Sequence, residues 1–177
     1  TIEMGVGHRA QRVVPYGPGG VGKTHLCALL KSVGINPLFI DLEEGSGEED
    51  VHRCVPRSWE ALRSLLHDKE RCSKYGALVI ESLTKAEELA AEFVIRTVKH
   101  EKDKVIKSIE DFGYGKGYTM ADAYWTKLLR GLDALRRERS MTMIVLAHSE
   151  TRTMEDPVVG AYEHLQTKLH KRANALL

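Results

Sequence analysis

Gly17-Pro18-Gly19-Gly20-Val21-Gly22-Lys23-Thr24 fits the spacing GxxxxGK[ST], a pattern whose residue types each have a chemical task. The glycines let successive backbone N–H groups turn toward one anion, and the helix that follows adds the positive end of its dipole. In such a loop Lys23 contacts the β and γ phosphates of a nucleotide and the Thr24 hydroxyl ligates Mg²⁺. The candidate nucleotide-binding set is therefore the whole run from Gly17 to Thr24 together with His25, and the implied cofactors are ATP and Mg²⁺. Hydrolysis needs in addition a carboxylate that orients or deprotonates water, and Glu43 and Glu44 are both candidates. Glu81 closes another apolar run and is the candidate metal partner of Thr24, while His148 closes a third and could hydrogen-bond a γ phosphate.

Those residues need elements to hold them. Gln11 to Tyr16 is a short apolar run ahead of the glycines, and Thr24 to Val33 has helical spacing, so the loop joins strand to helix. Leu38-Phe39-Ile40, Ala77-Leu78-Val79-Ile80 and Thr142 to Ala147 read as three more buried strands. Between them the pattern predicts helices over Ser58 to His67, with a serine cap, over Lys85 to about His100, and over Met120 to Arg139. A charged stretch from His100 to Lys107, a glycine-rich loop from Phe112 to Tyr118 and a polar loop from Glu150 to about Gly160 interrupt them, and a basic helix ends the chain. Apolar strands alternating with helices give an α/β fold, a mostly parallel sheet with helices on both faces and ligands at the carboxyl ends of the strands. Glu43, Glu81 and His148 then share one edge.

The chain has 177 residues, 42% of them hydrophobic and 29% charged, which suits one domain over 1–177 with a packed core. Its 26 basic and 25 acidic residues leave a net charge of +1, so a nucleic-acid site must be a local patch. Apolar runs of about five to seven residues are far short of the roughly 20 that span a bilayer, and no leader pattern opens the chain, so neither a membrane partner nor secretion is expected. Three cysteines, Cys27, Cys54 and Cys72, with no CxxC pair, fit a reducing, cytoplasmic setting, and His52 with Cys54 lacks the second pair a zinc site would need.

Taken in order, GPGGVGKT, LFIDLEEGS, ALVIESLT, FGYGKGY, MIVLAHSE and EDPVVGAYEHLQTKLHK resemble the RecA-like P-loop NTPase core, and more closely the phage Sak-type single-strand annealing proteins. The resemblance implies that Asp41-Leu42-Glu43 carries the catalytic base at Glu43, that Glu81 stands where the family usually has a magnesium-holding aspartate, and that His148 is the γ-phosphate sensor. It also implies single-stranded DNA binding by two stretches, one with Tyr114, Lys116 and Tyr118 and one with Arg152 between Glu150 and Gly160. The first has the aromatic, glycine and lysine content that stacks bases and neutralises phosphate. Further implications are a homo-oligomeric ring or filament completed in trans by Lys168, Lys171 or Arg172, a phage single-strand binding protein as partner, the host cytoplasm as location, and a sheet continuing past Leu177. The function expected is an ATPase acting on single-stranded DNA in phage recombination or annealing, against two rivals, an ATP-driven assembly switch and a small-molecule kinase.

Overall fold

The structure, a computed structural model, describes residues 10–99, 105–175 and 177. The start of the predicted charged stretch, and the Arg172 side chain, lie outside the described residues. The apolar run before the glycines makes two short strands, β1 (Arg12–Val13) and β2 (Tyr16–Gly17), instead of one. Next come α1 (Lys23–Ala28), a 3-10 turn over Leu29–Val33, β3 (Pro37–Asp41) and β4 (His52–Cys54), a strand with no apolar signature because it is exposed. Then α2 (Trp59–His67), α3 (Lys69–Cys72), β5 (Ala77–Glu81) and α4 (Leu83–Thr97) lead to α5 (Lys116–Arg139). Finally β6 (Thr142–Asp156), β7 (Gly160–Thr167) and a single turn, α6 (Lys171–Asn174), close the fold.

The main sheet runs β1-β6-β5-β3-β4, all parallel, with β2 also parallel to β6 and β7 antiparallel to it. Strand alternation sorts the core into two layers. Leu38, Ile40, Leu78, Ile80, Met143 and Val145 face α2, α4 and α5 and meet Trp59, Leu83 and Leu132. On the other face Phe39, Val79, Ile144 and Leu146 meet Cys27 of α1. This is the mostly parallel α/β arrangement of a P-loop NTPase, and it puts the ends of β2, β3, β5 and the buried part of β6 on one edge.

Three further segments differ from the sequence reading. The predicted loop from Glu150 to Gly160 is instead a hairpin: β6 continues past the sheet and β7 returns alongside it, with Ser149 opposite Thr167 and Asp156 opposite Gly160. Nearly all its residues are exposed, so no buried face gave the sequence an apolar alternation to read. The expected final basic helix shrinks to α6, because most of its span is β7. Lastly, α5 begins at Lys116 and not Met120, so Lys116 and Tyr118 lie in its first turn and not in a loop. Among the described residues no helix is long and apolar enough to cross a membrane.

Candidate functional site

The loop between β2 and α1 turns on glycine. Gly20 and Gly22 have φ of 76° and 85°, in the left-handed region, and Gly22 is the residue that caps α1. Register ties the loop to the sheet, with Tyr16 beside Ala147 and Gly17 beside His148. Lys23, the first residue of α1, folds back so that its Nζ donates to the carbonyls of Gly17 at 3.1 Å and Pro18 at 2.8 Å. A cation is thus held over the mouth of a loop with exposed backbone at Gly19 and Gly20. His25 points elsewhere: its Nδ1 lies 3.0 Å from Glu49 Oε1, on the exposed side of α1.

At the next residue of α1, the Thr24 hydroxyl donates to Glu81 Oε1 at 2.7 Å. Glu81 ends β5, is 9% exposed, and its second oxygen Oε2 is buried with no hydrogen-bond partner among the described residues. Burial pushes its carboxyl above the usual range, the Thr24 hydrogen bond opposes this, and the neighbouring charges of Asp41 and Glu43 push the same way as burial. A buried carboxylate oxygen without a donor, beside a hydroxyl, offers the oxygen chemistry that a hard divalent cation takes, although among the described residues no cluster of three acidic, histidine or cysteine side chains forms a ready-made metal cage. Mg²⁺ therefore fits between Thr24 and Glu81, which the sequence reading paired. Cys27 underlies this spot, and burial, with Glu81 as the lesser cause, pushes its thiol to about 11, so it is unreactive at neutral pH.

Glu43 and Glu44 diverge. Asp41, 1% exposed, accepts hydrogen bonds from the backbone of Gly45 at 3.1 Å and Ser46 at 3.0 Å and from the Ser46 hydroxyl at 2.5 Å, which curls the chain after β3 into a fixed turn. Within it Glu44 takes a φ of 59° and its carboxylate pairs with Arg57 at 2.8 Å, away from the loop. Glu43 instead accepts from the Ser82 hydroxyl through Oε1, and its Oε2 lies 2.8 Å from His148 Nε2. Ser82 follows a cis Glu81–Ser82 peptide and caps α4 through the Lys85 N–H. His148 is fixed through its backbone, with its N–H on Thr84 Oγ1 at 3.3 Å and its carbonyl accepting from Lys168 N at 2.7 Å. Sequence reasoning assigned no role to Asp41, Ser46, Ser82 or Thr84. The position of Ser82 and Thr84 directly behind the strand that ends at Glu81 was the available signal.

Of the residues expected to meet DNA, Tyr114 is fully exposed, with a φ of 47° just ahead of α5, and Lys116 is exposed beside it. Tyr118 is engaged internally: its ring stacks on His170 with centroids 4.0 Å apart and its hydroxyl donates to Glu110 at 2.5 Å. Arg152 pairs with Glu150 at 2.8 Å on the hairpin and lies opposite His164, and the hairpin's other carboxylates, Glu155, Asp156 and Glu163, outnumber these bases. Lys168 and Lys171 are exposed beyond β7.

Comparison with known proteins agrees with the geometry. No curated protein matches the chain. A family model described as AAA domain matches residues 9–177, nearly the whole length, in keeping with the strand-loop-helix of the glycine loop; the chain belongs to the AAA-domain family of P-loop ATPases.

Proposed function

We propose that this chain is a Mg²⁺-dependent ATPase that hydrolyses ATP by direct attack of water and acts on single-stranded DNA in phage recombination or annealing. The observation that carries the catalytic half is the tether of Glu43 to Ser82 and His148 at the edge where the P-loop opens. A carboxylate so held is a general base with both oxygens oriented. Lys23 exchanges the carbonyls of Gly17 and Pro18 for the phosphates, and the backbone N–H groups from Gly17 to Thr24 stabilise charge on them. Thr24 and Glu81 would hold Mg²⁺, which when bound would supply charge neutralisation at the phosphates. Glu43 accepts the proton of the attacking water, and His148, released from Glu43, reports the γ phosphate to the base of the hairpin through Lys168.

The DNA half is supported by the ordered series of motifs and by Tyr114 and Lys116, an aromatic face and a cation two residues apart and both open to solvent. Tyr118 and Arg152 are assigned to the same strand by the resemblance alone. Assembly of several copies, with Lys168, Lys171 or Arg172 completing a neighbour's site, and a phage single-strand binding protein as partner, belong to the same reading, as does the cytoplasm. Phosphate release from ATP with Mg²⁺, with and without a single-stranded oligonucleotide and with Lys23→Ala as the blank, tests it. DNA should raise turnover, and Tyr114→Ala should abolish the stimulation while keeping the basal rate. Turnover indifferent to DNA would remove single-stranded DNA from the function.

A further inference from the structure

Away from the P-loop edge, the outer side of α2 and the middle of α5 enclose a hollow of about 350 Å³. Its charge is one-sided. Arg63 and His67 of α2 and Lys127 and Arg130 of α5 line it, no carboxylate does, and none of the four forms an ion pair with a described residue. The acidic residues that helical spacing could offer are committed elsewhere. Glu60, three residues before Arg63, pairs with Arg96 at 2.5 Å, and Asp133, three residues after Arg130, pairs with Arg12 and Arg136. Lys127 is turned toward the Tyr124 ring, 5.4 Å from its centroid. The floor, by contrast, is apolar, made by Leu66 and Leu128.

A second feature singles out the same place. Gly131 lies in the interior of the 24-residue α5, where glycine is unfavourable, and a Cβ there would meet nothing within 4 Å. No packing contact requires this glycine. Its missing side chain leaves the hollow open.

We propose that this hollow binds one nucleotide unit, its phosphate on Arg63, Lys127 and Arg130 and its base flat against Leu66, Leu128 and Gly131. Guanidinium groups grip phosphate in bidentate fashion, and about 350 Å³ is at the small end of the range of ligand pockets, enough for a single unit. The unit is either a free nucleotide or one residue of a single strand, since both present the same phosphate and base. The site is separate from the P-loop and stands whether or not ATP is hydrolysed there.

The test uses the full chain carrying Lys23→Ala, which silences the P-loop, and two probes, a fluorescent ADP analogue and a fluorescein-labelled oligothymidylate, read by anisotropy. Binding of at least one probe is expected, weakened about tenfold or more by Arg63→Ala with Arg130→Ala, as loss of charge-assisted hydrogen bonds implies. Gly131→Trp, which fills the hollow, should do the same, while Gly131→Ala, which fits the open space, should not. For the strand probe, the two-arginine variant should also lower the slope of log affinity against log salt by on the order of one. Loss confined to the ADP analogue assigns the free nucleotide, and loss confined to the oligonucleotide assigns the strand. No binding of either probe to the folded protein, or affinities unchanged within about twofold in both the two-arginine and the tryptophan variants, would overturn the proposal.

Discussion

Glu43 and Glu44 are chemically identical neighbours that the backbone sends in opposite directions, one to Ser82 and His148 and the other to Arg57. Replacing Glu43 by glutamine keeps the hydrogen-bonding shape and removes the base, so ATP affinity should stay within about twofold while turnover falls about 10²- to 10⁴-fold. Glu44→Gln should leave both unchanged, which steady-state phosphate release checks. At Glu81 the raised carboxyl pKa has a consequence for stability. A carboxyl with a higher pKa in the folded than in the unfolded protein favours folding at acid pH, and that contribution is lost as pH rises from the ordinary carboxylate value through the raised one. Melting temperature without ligand should therefore fall across that window in the wild type and fall less in Glu81→Gln, which should also lose the extra stabilisation that Mg²⁺ adds to ATP. Lys23, Thr24 and Glu81 were legible from spacing and from strand-end position. The choice between Glu43 and Glu44 was not legible from residue types alone, because it is decided by the turn that Asp41 organises.

At the scale of elements, what the sequence disclosed was whatever is buried on a regular period. The apolar runs of β3, β5 and the first part of β6 are fully inside, and helices α2 and α4 start at serines whose hydroxyls cap them. The exposed strands β4 and β7 had no such period and were missed. The early start of α5 was hidden by its glycines. Gly117 reads as a loop residue, yet it is a helical residue pressed under the 3-10 turn over Ile109–Phe112, where a Cβ would come within 2.2 Å of the Ile109 carbonyl oxygen. Gly117→Ala should accordingly cost about 1–3 kcal/mol, as overpacking does, and urea denaturation would measure it. Asp41 acts on the element next to it. Asp41→Ala leaves the Ser46 hydroxyl and two backbone N–H groups without their acceptor and should cost about 3 kcal/mol as well as lowering turnover, since the turn carries Glu43.

For the whole molecule the two sheet faces are unequally covered. Three helices bury one face, whereas among the described residues α1 and the 3-10 turn after it bury the other, leaving Leu26, Leu29 and Val33 exposed. Stability therefore resides in the three-helix layer, and Leu132→Ala at its fully buried centre should cost about 2–5 kcal/mol. The nucleotide edge depends on the thinner layer, because α1 supplies both Lys23 and Thr24. ATP with Mg²⁺ at about 100 times its Kd should stabilise the fold by about 2.7 kcal/mol through mass action. One edge of the sheet, with Glu43 as the proposed base, is where hydrolysis is to be tested. Phosphate release from ATP and Mg²⁺ by the wild type, Lys23→Ala and Glu43→Gln, measured beside ATP affinity on the same samples, addresses that directly. The wild type should turn over, Lys23→Ala should neither bind nor turn over, and Glu43→Gln should bind without turning over. Equal turnover by Glu43→Gln and the wild type would contradict the account.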